Sequence, residues 1–303
     1  MNIGVVIVTY NRLGKLQIAL ECFQGQTHLP SYIIVVDNAS TDGTREYLDS
    51  WQKETETFRR VVIHMEHNTG GSGGFHEGLK HALHESAEWI WVSDDDAYPE
   101  EDALKIASDF LEHPKADGPV AAICARVMSH GKPDPYHGRL IVKRGISIRE
   151  VFVPEEYYNR PYFEKNSFSY VGTVMNKRCL QQAGLPNKDY FIYFDDTEHG
   201  MRMHEYGRIY CVPAMVVNHD TPPESSGLNW KYYYAMRNMT DMYRKHFSGV
   251  WFMWFALKVR IKTFFNRLAG HRNLELTILE AAFHDALSGK FGLHEVYRPG
   301  WKP

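Results

Sequence analysis

An α/β fold with a mostly parallel central sheet is predicted by three features of the first hundred residues. β-rich runs alternate with helix-like segments, each run ends in polar residues, and an aspartate triplet closes the fourth. The runs are Ile3 to Val8, Tyr32 to Val36, Val61 to Met65, and Trp89 to Val92. Between them lie the helix-like segments Leu13 to Phe23, Thr44 to Trp51, and Phe75 to Glu85. Ligands of such sheets bind at the carboxyl ends of the strands. The polar ends Thr9-Tyr10-Asn11-Arg12, Asp37-Asn38, His67-Asn68 and Asp94-Asp95-Asp96 are therefore expected along one edge.

The segment from about Gly118 to Ser167 is rich in Pro, Gly and Arg and reads as irregular, with acceptor-binding loops as one use. Order resumes at Phe168 to Met175, followed by a helix-like stretch to Ala183 and a Gly184-Leu185-Pro186 stop. A second apolar run, Ile209 to Val217, ends in Asn218-His219-Asp220, and a helix-like segment spans Trp230 to His246. The organisation expected is one domain over 1–247, with halves at 1–117 and 118–247, and a C-terminal amphipathic helical region at 248–303.

Net charge is −3, which gives no support to nucleic-acid binding. The four cysteines are widely spaced, without a zinc or redox motif, and suit a reducing, cytoplasmic setting. The N-terminus does not read as a signal peptide, and no apolar run approaches the ~18 residues of a membrane span. From Arg244 to Arg272 there are seven Lys and Arg and no acid, interleaved with Trp and Phe. Such a helix reads as a peripheral anchor on an anionic membrane through 248–272, or as a cover for the core or a dimer interface.

The chemistry concentrates in four places. Alternate residues of an extended chain point the same way, so Asp94 and Asp96 can face one cation while Asp95 faces elsewhere. Crowded carboxylates repel, and Mg²⁺ or Mn²⁺ relieves that repulsion while gripping a nucleotide diphosphate; the alternative is an acidic loop opening a helix. The run Asn68-Thr69-Gly70-Gly71-Ser72-Gly73-Gly74-Phe75 reads as a glycine turn that lets backbone approach an anion. Asp195 and Asp196 follow the aromatic run Tyr190 to Tyr193, where desolvation favours a general base; helix capping is the other use. His219 ends an apolar strand, and with two carboxylates it would complete a site suited to Mn²⁺. Trp230, Tyr232, Tyr233 and Tyr234 suit sugar stacking or, at helical spacing, the core.

Together, Val8-Thr9-Tyr10-Asn11-Arg12, Val36-Asp37-Asn38-Ala39-Ser40-Thr41-Asp42-Gly43-Thr44 and the triplet resemble glycosyltransferase family 2, with its GT-A fold. Asn68 to Phe75, Phe194 to Glu198, His219, and Trp230 through Asn238 are similar to bacterial galactofuranosyltransferases. The likeness runs over roughly residues 1 to 245. It implies inverting, metal-dependent transfer from UDP-galactofuranose to a glycan, with lipid-linked acceptors at the inner face of the cell membrane. By position it implies donor binding by Thr9, Tyr10, Arg12, Asp37, Asn68, Gly70, Gly71 and Asp95, and a metal on Asp94, Asp96 and His219. Asp196 would be the base, with Asp195 as its neighbour or substitute, and Trp230, Tyr233 and Arg237 would meet the acceptor. Phe194 stands where the family often has Trp. The rival expectations are a rhamnosyltransferase using a dTDP-sugar and a non-catalytic nucleotide-sugar scaffold at the membrane; a homo-oligomer is compatible with either.

Overall fold

A computed structural model describes residues 1–54, 58–113, 118–221 and 227–303. Its first half runs β1 (Ile3–Thr9), α1 (Leu13–Gln24), β2 (Tyr32–Asp37), α2 (Thr44–Trp51), β3 (Arg59–His64), α3 (Gly70–Ala82), β4 (Trp89–Asp94), β5 (Ala97–Pro99) and α4 (Ala103–Glu112). The second half continues with β6 (Val120–Ser129), β7 (Lys132–Pro133), β8 (Arg139–Arg144), β9 (Ser147–Phe152), β10 (Phe163–Lys165), β11 (Thr173–Asn176), α5 (Lys177–Ala183), α6 (Asp195–His204), β12 (Arg208–His219), α7 (Trp230–His246), α8 (Val250–Leu268) and α9 (Leu274–Ser288).

The strands β3, β2, β1 and β4 lie side by side and all parallel, as the alternation of strand and helix requires. Beyond β4 the sheet becomes mixed: β11 inserts antiparallel between β4 and β6, β12 runs parallel to β6, and β10 closes the edge. Both faces are covered. Ile3, Val5 and Ile7 of β1 pack with Leu16, Leu20, Leu48, Trp51 and Leu104 on one side. Val6 and Val8 pack with Phe75, Leu79 and Leu180 on the other. A strand buried on both faces reads as a continuous apolar run, which is why β1 and β2 are plain in the sequence.

Two expectations change. The stretch 118–167 is not irregular: it holds β6 and the β8–β9 hairpin, whose turn residue Gly145 has a positive φ of 59°. Local Pro, Gly and Arg content hid both β6, whose partners β11 and β12 lie far along the chain, and the local β8–β9 hairpin. Nor is the glycine run a turn before a helix beginning at Phe75, because α3 already begins at Gly70. Its glycines let the helix settle onto the sheet. A Cβ on Gly74 would stand 2.5 Å from Val8 Cγ1, and one on Gly78 would stand 2.5 Å from Val6 Cγ1.

The last three helices form a layer on the second half. Tyr233 and Tyr234 of α7 pack with Ile278 and Ala282 of α9, and Val259 of α8 packs with Leu279 and Phe283. Among the described residues no helix is long and apolar enough to cross a membrane.

Gly78→Ala is expected to lower stability by about 1–3 kcal/mol through overpacking against β1. Urea denaturation measures it, and an unchanged midpoint would mean that β1 yields to the added methyl.

Candidate active site

The triplet ends β4 and leads into β5, and its geometry is made by a strand pairing. β5 runs antiparallel to β12, with Ala97 opposite His219, and the Asp220 amide donates to the Asp96 carbonyl at 2.8 Å. His219 Nε2 consequently lies 3.2 Å from Asp96 Oδ1. One ligand atom from each of Asp94, Asp96 and His219 falls within 4.8 Å of the others. Burial and the neighbouring Asp96 push the Asp94 carboxyl above the usual range. Two oxygens and one imidazole nitrogen around a point of surplus negative charge fit Mn²⁺ or Mg²⁺ by donor type and by electrostatic demand.

Several residues expected at the donor hold one another instead. Thr9 Oγ1 donates to Asp95 Oδ2 at 2.7 Å, and both side chains are buried. Arg12 Nη1 spans Asp95 Oδ1 at 3.2 Å and Asp96 Oδ2 at 2.6 Å, where Lys15 also arrives. Asp95 thus faces away from the cation point, and direct donor contact by Thr9 and Asp95 gives way to positioning Arg12. Asp37 accepts from the Ser40 amide and pairs with His64 Nδ1, both at 2.9 Å. Tyr10 stands exposed at the rim.

Asn68 Oδ1 accepts from the Gly70 amide at 2.8 Å, which takes that amide out of anion binding. Gly70 is covered as well: a Cβ there would sit 2.0 Å from the Phe191 carbonyl oxygen. Of the two glycines expected at the diphosphate, only Gly71 looks onto open space.

What passes over Gly70 is the segment that delivers the second carboxylate pair. Phe191, Tyr193 and Phe194 all have positive φ, at 69°, 66° and 61°. Bulky residues in that region cost of order 1–3 kcal/mol each, and surrounding structure must hold them. The holding groups are on α7. Asn238 Nδ2 lies 3.0, 2.9 and 2.8 Å from the carbonyls of Tyr190, Ile192 and Tyr193. Arg237 donates to the Tyr190 and Gly292 carbonyls and, through Nε, to Asn238 Oδ1. The Ser72 amide of α3 adds a bond to the Phe191 carbonyl.

The segment sets Asp195 and Asp196 on the first turn of α6. Asp195 is buried; desolvation, then the charge of Asp196, raises its pKa, and the charge of Asp94 adds to the effect. The two acidic clusters therefore lie close enough for the charge of Asp94 to act on Asp195. Asp196 is half-buried, and its Oδ1 accepts from the Thr197 amide and hydroxyl at 2.5 and 3.0 Å.

The acceptor expectation is corrected at two of its three residues. Tyr233 is buried and donates to Asp285 Oδ2 of α9 at 2.7 Å, and Arg237 is buried in the clamp just described. Helical spacing placed both on the inner face of α7. Trp230 does line a cavity of about 1190 Å³, together with Tyr136, Tyr193, Lys231, Trp301 and Asp134. Lys231, Asp134 and His137 were missed. Lys231 follows the Asn229 cap of α7 and lies near the ring of Tyr193, and burial followed by the charge of Arg12 lowers its pKa. For Asp134 and His137, a spacing of three within a Pro-containing turn was the available signal.

An α/β sheet with a carboxylate–histidine cluster that could hold a cation at its strand ends, and a second carboxylate pair nearby, fits a glycosyltransferase of GT-A fold. The chain belongs to glycosyl transferase family 2, whose family model matches residues 4–179. It is 35% identical over 101 residues to galactofuranosyltransferase GlfT1 of Mycobacterium tuberculosis, which is 33% of this chain and 32% of that one. The matched part thus spans about a third of that relative's length. To dTDP-rhamnosyl transferase RfbF of Shigella flexneri it is 26% identical over 258 residues, 81% of each chain. The fold is similar to GalNAc-T7 solved with UDP, GalNAc and Mn²⁺, with a TM-score of 0.63 and 11% identity over 95% of this chain and 56% of that one. It is also similar to a Pyrobaculum calidifontis mannosyltransferase in complex with GDP-Man and Mn²⁺, with a TM-score of 0.57 and 19% identity over 95% and 75%.

The raised Asp195 pKa carries a sign. A carboxyl with a folded pKa above its unfolded value of about 4 stabilises the fold fully below that value and loses the contribution as pH rises through the folded pKa. Asp195→Asn should therefore gain in Tm relative to the parent as pH is raised from acid to alkaline. A Tm difference independent of pH would contradict the burial of that charge.

Proposed function

We propose that the protein transfers galactofuranose, with inversion, from UDP-galactofuranose to a hydroxyl of a lipid-linked glycan in cell-surface polysaccharide synthesis. The observation that carries the reading is the Asp94, Asp96 and His219 cluster at the strand ends, near enough to the second carboxylate pair for the charge of Asp94 to act on Asp195. In it Asp94, Asp96 and His219 hold a divalent ion, Mn²⁺ or Mg²⁺, which supplies charge against that building on the leaving diphosphate. Arg12, Lys15 and Lys231 bring further positive charge to the same place. Asp196 accepts the proton of the attacking hydroxyl, since it is the pair's less buried member. Asp195, its carboxyl pushed up to about 8 by burial and then by the charge of Asp196, is the poorer proton acceptor near neutrality. Trp230 offers the acceptor sugar an aromatic face on the wall of the cavity. Residues 1–117 serve the nucleotide, 118–247 the acceptor, and 248–303 the membrane and the support of α7.

The segment similar to GlfT1 supports the galactofuranosyl donor, and the longer alignment with RfbF supports a dTDP-rhamnose donor as the second reading. The fold and the two carboxylate sets serve either. The deciding experiment offers UDP-galactofuranose, UDP-galactose, UDP-glucose and dTDP-rhamnose, with and without Mn²⁺, to the parent and Asp196→Asn chains. Nucleotide release and glycan product are measured. Turnover is expected with UDP-galactofuranose and Mn²⁺, falling at least about a hundredfold in Asp196→Asn while donor binding persists. Turnover with dTDP-rhamnose alone would shift the donor, and normal turnover by the variant would remove Asp196 as base.

α8 supports peripheral membrane binding. Met253, Leu257, Ile261, Phe264, Phe265 and Leu268 are exposed on it, alongside exposed Arg260 and Lys262. That combination suits an interfacial helix on anionic lipid. The full chain should float with vesicles containing phosphatidylglycerol and detach when Phe264 and Phe265 are both changed to Ser. Equal flotation of the two would assign α8 another cover.

A further inference from the structure

His219 touches a second set of ligands with its other nitrogen. His137 Nε2 lies 3.1 Å from His219 Nδ1 and 3.8 Å from Asp134 Oδ2, and one ligand atom from each of the three falls within 4.8 Å of the others. A tetrahedral Zn²⁺ with bonds of about 2.0–2.1 Å separates its ligand atoms by roughly 3.3 Å. The observed spacings bracket that value. We propose that Asp134, His137 and His219 form a second cation site of the two-histidine, one-carboxylate kind that takes Zn²⁺, sharing His219 with the Asp94 and Asp96 cluster.

Each ligand is oriented from behind. Asp134 Oδ1 accepts from the Tyr136 amide at 2.9 Å, which leaves Oδ2 on the histidine side. His137 Nδ1 meets Ser169 Oγ at 2.9 Å, and Lys165 fixes the turn through the His137 carbonyl at 2.8 Å. His219 Nε2 meets Asp96 Oδ1, giving the carboxylate–histidine pairing that stands behind many metal-bound imidazoles. Entry is open, because Asp134 lines the same cavity as Trp230. The donor set also differs in kind from its neighbour. Two imidazoles favour a borderline-soft ion, whereas two carboxylates favour a hard one.

Sharing His219 makes the sites exclusive. A neutral imidazole has one lone pair, so when Nδ1 binds an ion, Nε2 carries the proton and donates to Asp96. Zn²⁺ at the second site withdraws His219 from the Asp94 and Asp96 side and weakens Mn²⁺ there. This competition rests on the proposed placing of the catalytic ion; the Zn²⁺ site itself does not.

The test titrates the chelator-treated full chain with Zn²⁺ alone, by calorimetry, in the parent, His137→Gln, Asp134→Asn and Asp94→Asn chains, each checked for an unchanged circular dichroism spectrum. The parent and Asp94→Asn should bind one Zn²⁺ alike, while His137→Gln and Asp134→Asn each weaken it at least about tenfold. Asp134→Asn keeps an oxygen for the Tyr136 amide, so it stands in should His137→Gln fail to fold. Zn²⁺ bound by His137→Gln and Asp134→Asn as tightly as by the parent would overturn the site and reduce His137 to orienting His219. Loss of Zn²⁺ in Asp94→Asn alone would place the ion in the neighbouring cluster. A Mn²⁺ titration then reads the competition: added Zn²⁺ should lower Mn²⁺ affinity in the parent and not in His137→Gln. If Mn²⁺ binding ignores Asp94→Asn, the proposed catalytic ion fails while the Zn²⁺ result stands.

Discussion

The clamp that Arg237 and Asn238 place on the backbone of residues 189–193 is the constraint on which the active site depends. Three bulky residues there sit in the left-handed region, a conformation that no local preference favours. Asn238 gathers the carbonyls of Tyr190, Ile192 and Tyr193, and Arg237 braces Asn238 while reaching Gly292 in the C-terminal segment. Gly70 leaves room for the same loop to cross α3. The carboxylate pair Asp195–Asp196 is thus positioned by α3, α7 and the chain beyond α9 at once, and α6 starts where that packing puts it.

A second dependency is electrostatic. The triplet, Asp195, Asp196 and Asp220 bring many carboxylates to one edge, which without compensation would open the sheet. Arg12 and Lys15 offset the part nearest β1, with Arg12 raised above its ordinary pKa by Asp95 and Asp96 despite the cost of its own burial. Asp94 is compensated by His219 and, more weakly, by Arg12, and burial outweighs both. Asp95 is thus bound to Thr9 and Arg12, whereas Asp96 is shared between Arg12, Lys15 and His219.

Much of this site was legible because each strand of the parallel half carries its own signal. The apolar runs of β1, β2 and β4, buried on both faces, announce themselves, and the polar residues that follow mark the ligand edge. The residues misjudged were those whose partners lie far along the chain. Tyr233 and Arg237 looked like sugar readers because their chemistry suits sugars; α9 and the 189–193 carbonyls had already claimed them. The four glycines looked like an anion turn because nothing in the run itself shows that the Phe191 carbonyl stands over Gly70 and Val8 over Gly74. His137 was overlooked because its segment, rich in Pro, Gly and Arg, reads as loop, and only β6 and β12 bring it to His219.

By itself, then, the sequence determined the strand and helix alternation, the family, and the residue types of the carboxylate and histidine cluster. These are encoded by period and local order, which act over a few residues. The tertiary structure decided which carboxylates lie near one another, which imidazole nitrogen meets which ligand, and which aromatic residues reach the cavity. Those depend on the β5–β12 register and on the packing of α7 over residues 189–194, where side chains scores of positions apart compete for the same few ångströms.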